Sequence, residues 1–177
     1  MIPTITKECS IFLKHSDGVP LLCNLSTKLQ GFSRVKVRKQ KIKSTMDVIY
    51  NTAFDEEYNY NNLRQRSILA YTEKALPDKT EDTEPFYVFP IDGFKVIFSE
   101  VVTDSQKVHN KTLEMLENDV GEVESYDILS DLIKYTYKTQ DLSKALSYNC
   151  EIIIYGIAYY YAVRKTIIDD YHNFIYN

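Results

Sequence analysis

Short strand-like runs recur along this chain among helical segments, with no regular strand–helix–strand alternation, and that irregular mixture points to an α+β fold. The runs are VPLLCNL from Val19, RSILAYT from Arg66, FYVFPI from Phe86, FKVIFSEVV from Phe94, and the closing pair CEIIIYG and AYYYAV around Gly156. The DG at Asp92 makes its two flanking runs read as a hairpin, and the closing runs read as strands paired around Gly156. Pro90 sets the end of its strand at an edge or a bend.

Between these runs the apolar period changes to that of a helix. Ile2, Ile5, Cys9, Phe12 and Leu13 share one face, and Asp17–Gly18 supplies a stop, which predicts a helix over residues 1–17. From Thr45, the residues Met46, Ile49, Tyr50, Ala53 and Phe54 form one apolar face, ended by NYNN at Asn59. Further helices are predicted from about Ser105 to Asn118, with Val108, Met115 and Leu116 inward, and from near Ser125, with Ile128, Leu129, Leu132 and Ile133 inward. A short segment from Asp141 begins with a capping residue. The 177 residues make one domain, and EKALPDKTEDTEP, Glu73 to Pro85, reads as its acidic, mobile loop.

RVKVRKQKIK, Arg34 to Lys43, sets six bases in ten residues. The rest of the chain then holds 15 basic against 25 acidic residues. A basic footprint over the whole protein, as a general nucleic-acid binder carries, is absent, and a local one is present. Val35 and Val37 alternate with the bases, as in an edge strand or extended arm. Such a segment either meets phosphate groups, of a nucleic acid or a dinucleotide, or keeps a sheet edge solvated. Arg66–Ser67 before ILAYT has the same two readings, a phosphate grip or a structural pair. Glu151, opening CEIII, sits either at the mouth of a cleft or at a plain strand end.

Other chemistries lack their signatures. Three cysteines without a C-x-x-C pair suggest neither a disulfide framework nor a zinc site, and fit a reducing intracellular setting. His15, His109 and His172 have no neighbours at metal-ligand spacing, so no metal is expected. No phosphate-binding glycine loop, nucleophile elbow or H-E-x-x-H motif occurs. The N-terminal stretch lacks the build of a signal peptide, and the apolar run near Ile152 is too short to span a membrane. The sequons at Asn24 and Asn110 accordingly read as chance. The bias toward Tyr, Asn, Ile and Lys is that of AT-rich coding genomes, many phages included.

Four segments taken in order carry a family likeness: VRKQKIKST (Val37 to Thr45), RQRSILAYT (Arg64 to Thr72), FYVFPIDGFKVIFSEVVTD (Phe86 to Asp104) and NCEIIIYGIAYYYAV (Asn149 to Val163). Their sequence resembles phage-encoded proteins with an ADP-ribosyltransferase-like fold, the anti-DarT factors nearest among them, over about residues 20–163. The resemblance implies a single domain with a central, mostly antiparallel, split sheet and flanking helices. It implies NAD as the ligand, Glu151 as the catalytic carboxylate that polarises a ribose hydroxyl, and Ser67 and Thr72 as the nicotinamide-pocket strand, with Arg66 beside them. The first-strand Arg-Gly of that pattern is replaced by Cys23 and Asn24, which leaves Arg34 or Arg38 to grip the dinucleotide phosphates. A phage accessory protein acting in the host cytoplasm against a host protein or toxin–antitoxin component is the implied role. A non-catalytic binding or virion-associated protein that keeps the fold is a second reading, and a nucleic-acid-binding accessory protein working through Arg34 to Lys43 a third.

Overall fold

The run EIIIY is buried at every position, and a strand hidden on both faces has to lie inside a sheet covered on both sides. The computed structural model describes residues 2–42, 45–103, 121–139, 142–168 and 170–176, with positions 108, 110 and 114. Its elements run α1 (Ile2–Glu8), α2 (Ser10–Ser16), β1 (Leu22–Ser26), β2 (Phe32–Lys36), α3 (Thr45–Glu57), a 3-10 turn (Arg64–Arg66), β3 (Ile68–Tyr71), β4 (Thr83–Pro90) and β5 (Lys95–Ser99). They continue with α4 (Glu122–Thr136), β6 (Tyr137–Lys138), α5 (Leu142–Leu146), β7 (Glu151–Tyr155), β8 (Tyr159–Arg164), a second 3-10 turn (Lys165–Ile167) and α6 (Tyr171–Tyr176).

The class is α+β, built on one eight-stranded sheet in the order β2-β8-β4-β1-β3-β7-β5-β6. Every strand pairing among the described residues is antiparallel. The sheet is single where a split one is expected, with a seam where its strand pairing is thinnest. β1 pairs with β4 over five positions but meets β3 at one, Leu22 opposite Tyr71. Four strands lie on each side of that seam.

Two apolar clusters sandwich the sheet. Ile152, Ile154, Ala70 and Phe98 join Phe12, Leu142 and Ile175 in one, under α1, α2, α5 and α6. Ile153, Tyr155 and Ile97 join Ile49, Tyr50, Phe54, Leu129 and Ile133 in the other, under α3 and α4. Alternation along β7 therefore feeds both clusters, and each fully buried isoleucine contributes about 1.5–3 kcal/mol of transfer free energy.

α3 presents Ile49, Tyr50, Ala53 and Phe54 inward, as its spacing predicts. Asn59 takes a left-handed φ of 47° and turns the chain out of the helix, a conformation asparagine adopts at small cost. The Asp55 carboxylate then accepts the backbone N–H groups of Asn62 and Leu63, both at 2.7 Å. That double hold fixes the path from α3 to the 3-10 turn.

Several expectations are corrected. β4 and β5 form no hairpin, and β7 and β8 do not pair with each other: β8 lies between β2 and β4, and β7 between β3 and β5. The glycines at 93 and 156, at φ 96° and 85°, turn the chain between halves of the sheet instead of closing hairpins. The first helix is two, broken at Cys9 where φ is −120° and ψ 31°. Ile128 is 40% exposed because Leu129 and Ile133 take the inward face of α4. In the acidic loop, the Pro77 carbonyl accepts from the Asn24 side chain at 2.9 Å, and the Thr80 N–H donates to the Thr83 hydroxyl. Lys43, His109, Asp141 and most of the helix expected from Ser105 to Asn118 lie outside the described residues.

Candidate functional site

A single residue pair holds β1 against β3, so the two strands splay below Leu22–Tyr71 and leave a cleft of about 500 Å³. Cys23, Asn24 and Leu25 line one wall, Ser67, Leu69 and Tyr71 the other, and Arg38 and Gln40 cross its mouth. Pro77 and Asp78 of the acidic loop and Tyr160 of β8 complete the lining.

The strand β2 is an edge strand, and its basic continuation is strapped across the sheet by two backbone hydrogen bonds. Val37 N–H donates to the Ala158 carbonyl in the β7–β8 turn, and Gln40 N–H to the Gln65 carbonyl in the first 3-10 turn, both at 2.9 Å. The strap carries Arg38 and Lys39 beside that turn. There Arg64 packs inward, its guanidinium 4.2 Å from the Tyr50 ring centre, while Arg66 is exposed. On the far side of the strap a second groove, about 680 Å³, is lined by Lys36, Arg38, Lys39, Arg66, Tyr60 and the 156–158 turn.

Glu151 lies behind the cleft and not at its mouth. It is 2% exposed, and the Tyr71 hydroxyl donates to its Oε2 at 2.9 Å across the β3–β7 register. Its Oε1 is buried with no hydrogen-bond partner among the described residues. The carboxylate belongs to a buried polar group with Tyr137, Tyr50 and Arg64. Burial first, then Tyr50 and Glu151, drives the Tyr137 phenol far above its ordinary range, against the lowering effect of Arg64. Tyr71 is the one member of this group that also lines the cleft.

The six residues singled out from sequence divide among five places. Arg38 and Ser67 share the cleft. Arg66 shares the basic groove with Arg38. Arg34 lies apart on β2, its guanidinium 3.4 Å from the Tyr159 ring centre, near Glu8, which accepts hydrogen bonds from the Tyr159 and Tyr161 hydroxyls. Thr72 faces a separate depression with Asn149, to which its hydroxyl donates at 3.2 Å. Glu151 is the buried one. Ser67 donates its own hydroxyl proton to the Arg64 carbonyl at 2.8 Å, so toward the cleft it offers lone pairs.

Cys23 and Asn24, which replace the Arg-Gly of the resemblance, both line the cleft. Burial pushes the Cys23 thiol up to about 12, so it stays protonated and poorly nucleophilic. The Asn24 amide oxygen is buried with no hydrogen-bond partner among the described residues. Sequence reasoning missed Tyr71, Tyr60 and Asp55; their side chains carry no motif, and only the folded path brings them to the site. Among the described residues no group of three or more His, Cys, Asp or Glu side chains could hold a metal ion. No described helix is long and apolar enough to cross a membrane. No protein-family model, curated protein or solved structure matches this chain.

Proposed function

We propose that this chain is a phage accessory protein with an ADP-ribosyltransferase-like fold that holds an ADP-ribose-type ligand in the seam cleft without turning it over. The observation that carries the reading is the cleft itself. At about 500 Å³ it falls in the range of small-molecule sites, and it brings Arg38, Ser67 and the unpartnered Asn24 amide oxygen together. Arg38 serves the phosphates, and Asn24 and Ser67 accept from ribose hydroxyls.

Loss of turnover follows from the position of Glu151. A carboxylate that polarises a ribose hydroxyl has to touch it, whereas this one is 2% exposed behind Tyr71. Its role in this reading is to brace the seam. The setting is the host cytoplasm, and the partner is a host protein or toxin–antitoxin component whose ADP-ribose chemistry the chain opposes. NAD is the natural competitor ligand.

Calorimetric titration with ADP-ribose and, separately, with NAD tests this. Saturable heat that weakens roughly tenfold in Arg38→Ala, as expected for loss of a charge-assisted bond, supports the reading. No heat from a folded protein with either ligand removes it. Release of nicotinamide on incubation with NAD, abolished in Glu151→Gln, would restore the catalytic role and overturn the binding-only part.

A further inference from the structure

We infer that the groove lined by Lys36, Arg38, Lys39 and Arg66 is a path for the backbone of a single-stranded nucleic acid. The inference stands apart from the cleft reading, with which it shares only the strap between the two sites.

Four cations from two distant segments converge on one concave surface of about 680 Å³, and among the described residues no carboxylate lines it. None of the four makes an ion pair among the described residues. The contrast within the same chain is direct: Lys138 and Lys144 pair with Glu100, Arg164 with Glu84, and Lys165 with Glu73. The protein has 25 acidic residues and carries a net charge of −4, so carboxylates are abundant, yet none stands among the described residues of this groove. Four like charges held together by a backbone strap repel one another until a polyanion neutralises them.

The groove also offers a surface for a base. Tyr60 lines it, held against Tyr155 at 5.1 Å between ring centres and 80° between planes. The Asp55 hold on Asn62 and Leu63 fixes the segment that carries both Tyr60 and Arg66. Cations that track phosphates beside a ring that stacks a base are how single strands are gripped without reading sequence. A duplex suits the surface less well. Its flanking phosphates would extend beyond the groove over a remainder in which acids outnumber bases 25 to 17.

Fluorescence anisotropy with a labelled oligothymidylate of about twelve nucleotides, its duplex, and polyglutamate as a bare polyanion tests the inference. With four phosphates neutralised, the logarithm of the single-strand association constant should fall with log salt at a slope of about −3. Lys39→Ala with Arg66→Ala should flatten the slope by about 1.4 and weaken binding roughly 25-fold. Tyr60→Leu should weaken binding about fivefold or more at unchanged slope, because stacking is not a charge contact. ADP-ribose titration of Lys39→Ala and Tyr60→Leu should match the parent, which separates failure here from failure of the cleft reading. No binding to a folded protein at about 50 mM salt overturns the inference. So does tighter binding of the duplex, or polyglutamate binding as tight as the oligonucleotide with no effect of Tyr60→Leu.

Discussion

Replacing Tyr71 with Phe removes one hydroxyl from a position that is 9% exposed and leaves the ring in place. The oxygen lost is the donor to Glu151 Oε2, and Oε1 has no other partner among the described residues. A hydrogen bond to a charged group is worth about 1.5–3 kcal/mol net, and stranding a buried acceptor adds to it, so the change should cost about 2–4 kcal/mol. For a chain of this size that is a fall in Tm of about 8 °C at the centre of the range. Urea unfolding at fixed pH measures it through the midpoint and slope. Glu151→Gln keeps an oxygen that accepts from Tyr71 but carries no charge. In that background Tyr71→Phe should cost only about 1 kcal/mol, a coupling of about 1–3 kcal/mol between the two side chains. A cost within about 0.5 kcal/mol of zero in the parent, or the same cost in both backgrounds, would refute the claim that this carboxylate depends on Tyr71 and braces the seam.

Three further outcomes are expected. Phe54→Ala should cost about 3–5 kcal/mol in urea unfolding, because its ring packs on Tyr50, Tyr58 and Tyr137 at centroid distances of 5.3, 6.0 and 5.0 Å. Asp55→Ala should cost about 1.5–3 kcal/mol and speed hydrogen exchange at the Asn62 and Leu63 amides, whose shared acceptor it deletes. Burial, with Asp92 and Glu8 adding to it, pushes the Cys9 thiol up from 9.0 to about 12, and burial followed by Glu151 pushes Cys150 up to about 11. The folded pKa is the higher one in both, so this stability is whole below 9 and is lost as pH rises toward 11 to 12. The urea midpoint should therefore decline over that window. Ellman's reagent at about pH 8 should modify the folded protein slowly and the unfolded protein fast, and rapid modification of folded protein would contradict the burial argument.

The legible parts of the chain are those written in local pattern. The α3 face, the stop at Asp17–Gly18 and the edge position of β2 each rest on residues a few places apart, and each holds. Strand partnership is not local. EIIIY and YYYAV are joined by a turn that fits a hairpin, yet each buries more by entering a different half of the sheet, where both its neighbours are strands. The same limit governs the candidate site. Arg38 and Arg66 share a groove because Val37 bonds Ala158 and Gln40 bonds Gln65, long-range contacts that no spacing encodes. Glu151 reads as a strand-start acid, but it is buried and accepts its hydrogen bond from Tyr71, 80 residues away.

The order of the sheet also sets a schedule for synthesis. β8 fits between β2 and β4, and β7 between β3 and β5, so each half waits for the strand made last among its four. As the nascent chain lengthens at about 5–20 residues per second, the facing edges of β2 and β4, and of β3 and β5, stay unpaired until residues 151–164 emerge. Two gaps then fill in quick succession. The arrival of those two strands is what lets both halves of the sheet close, and a stop codon before Glu151 would leave both halves open at once.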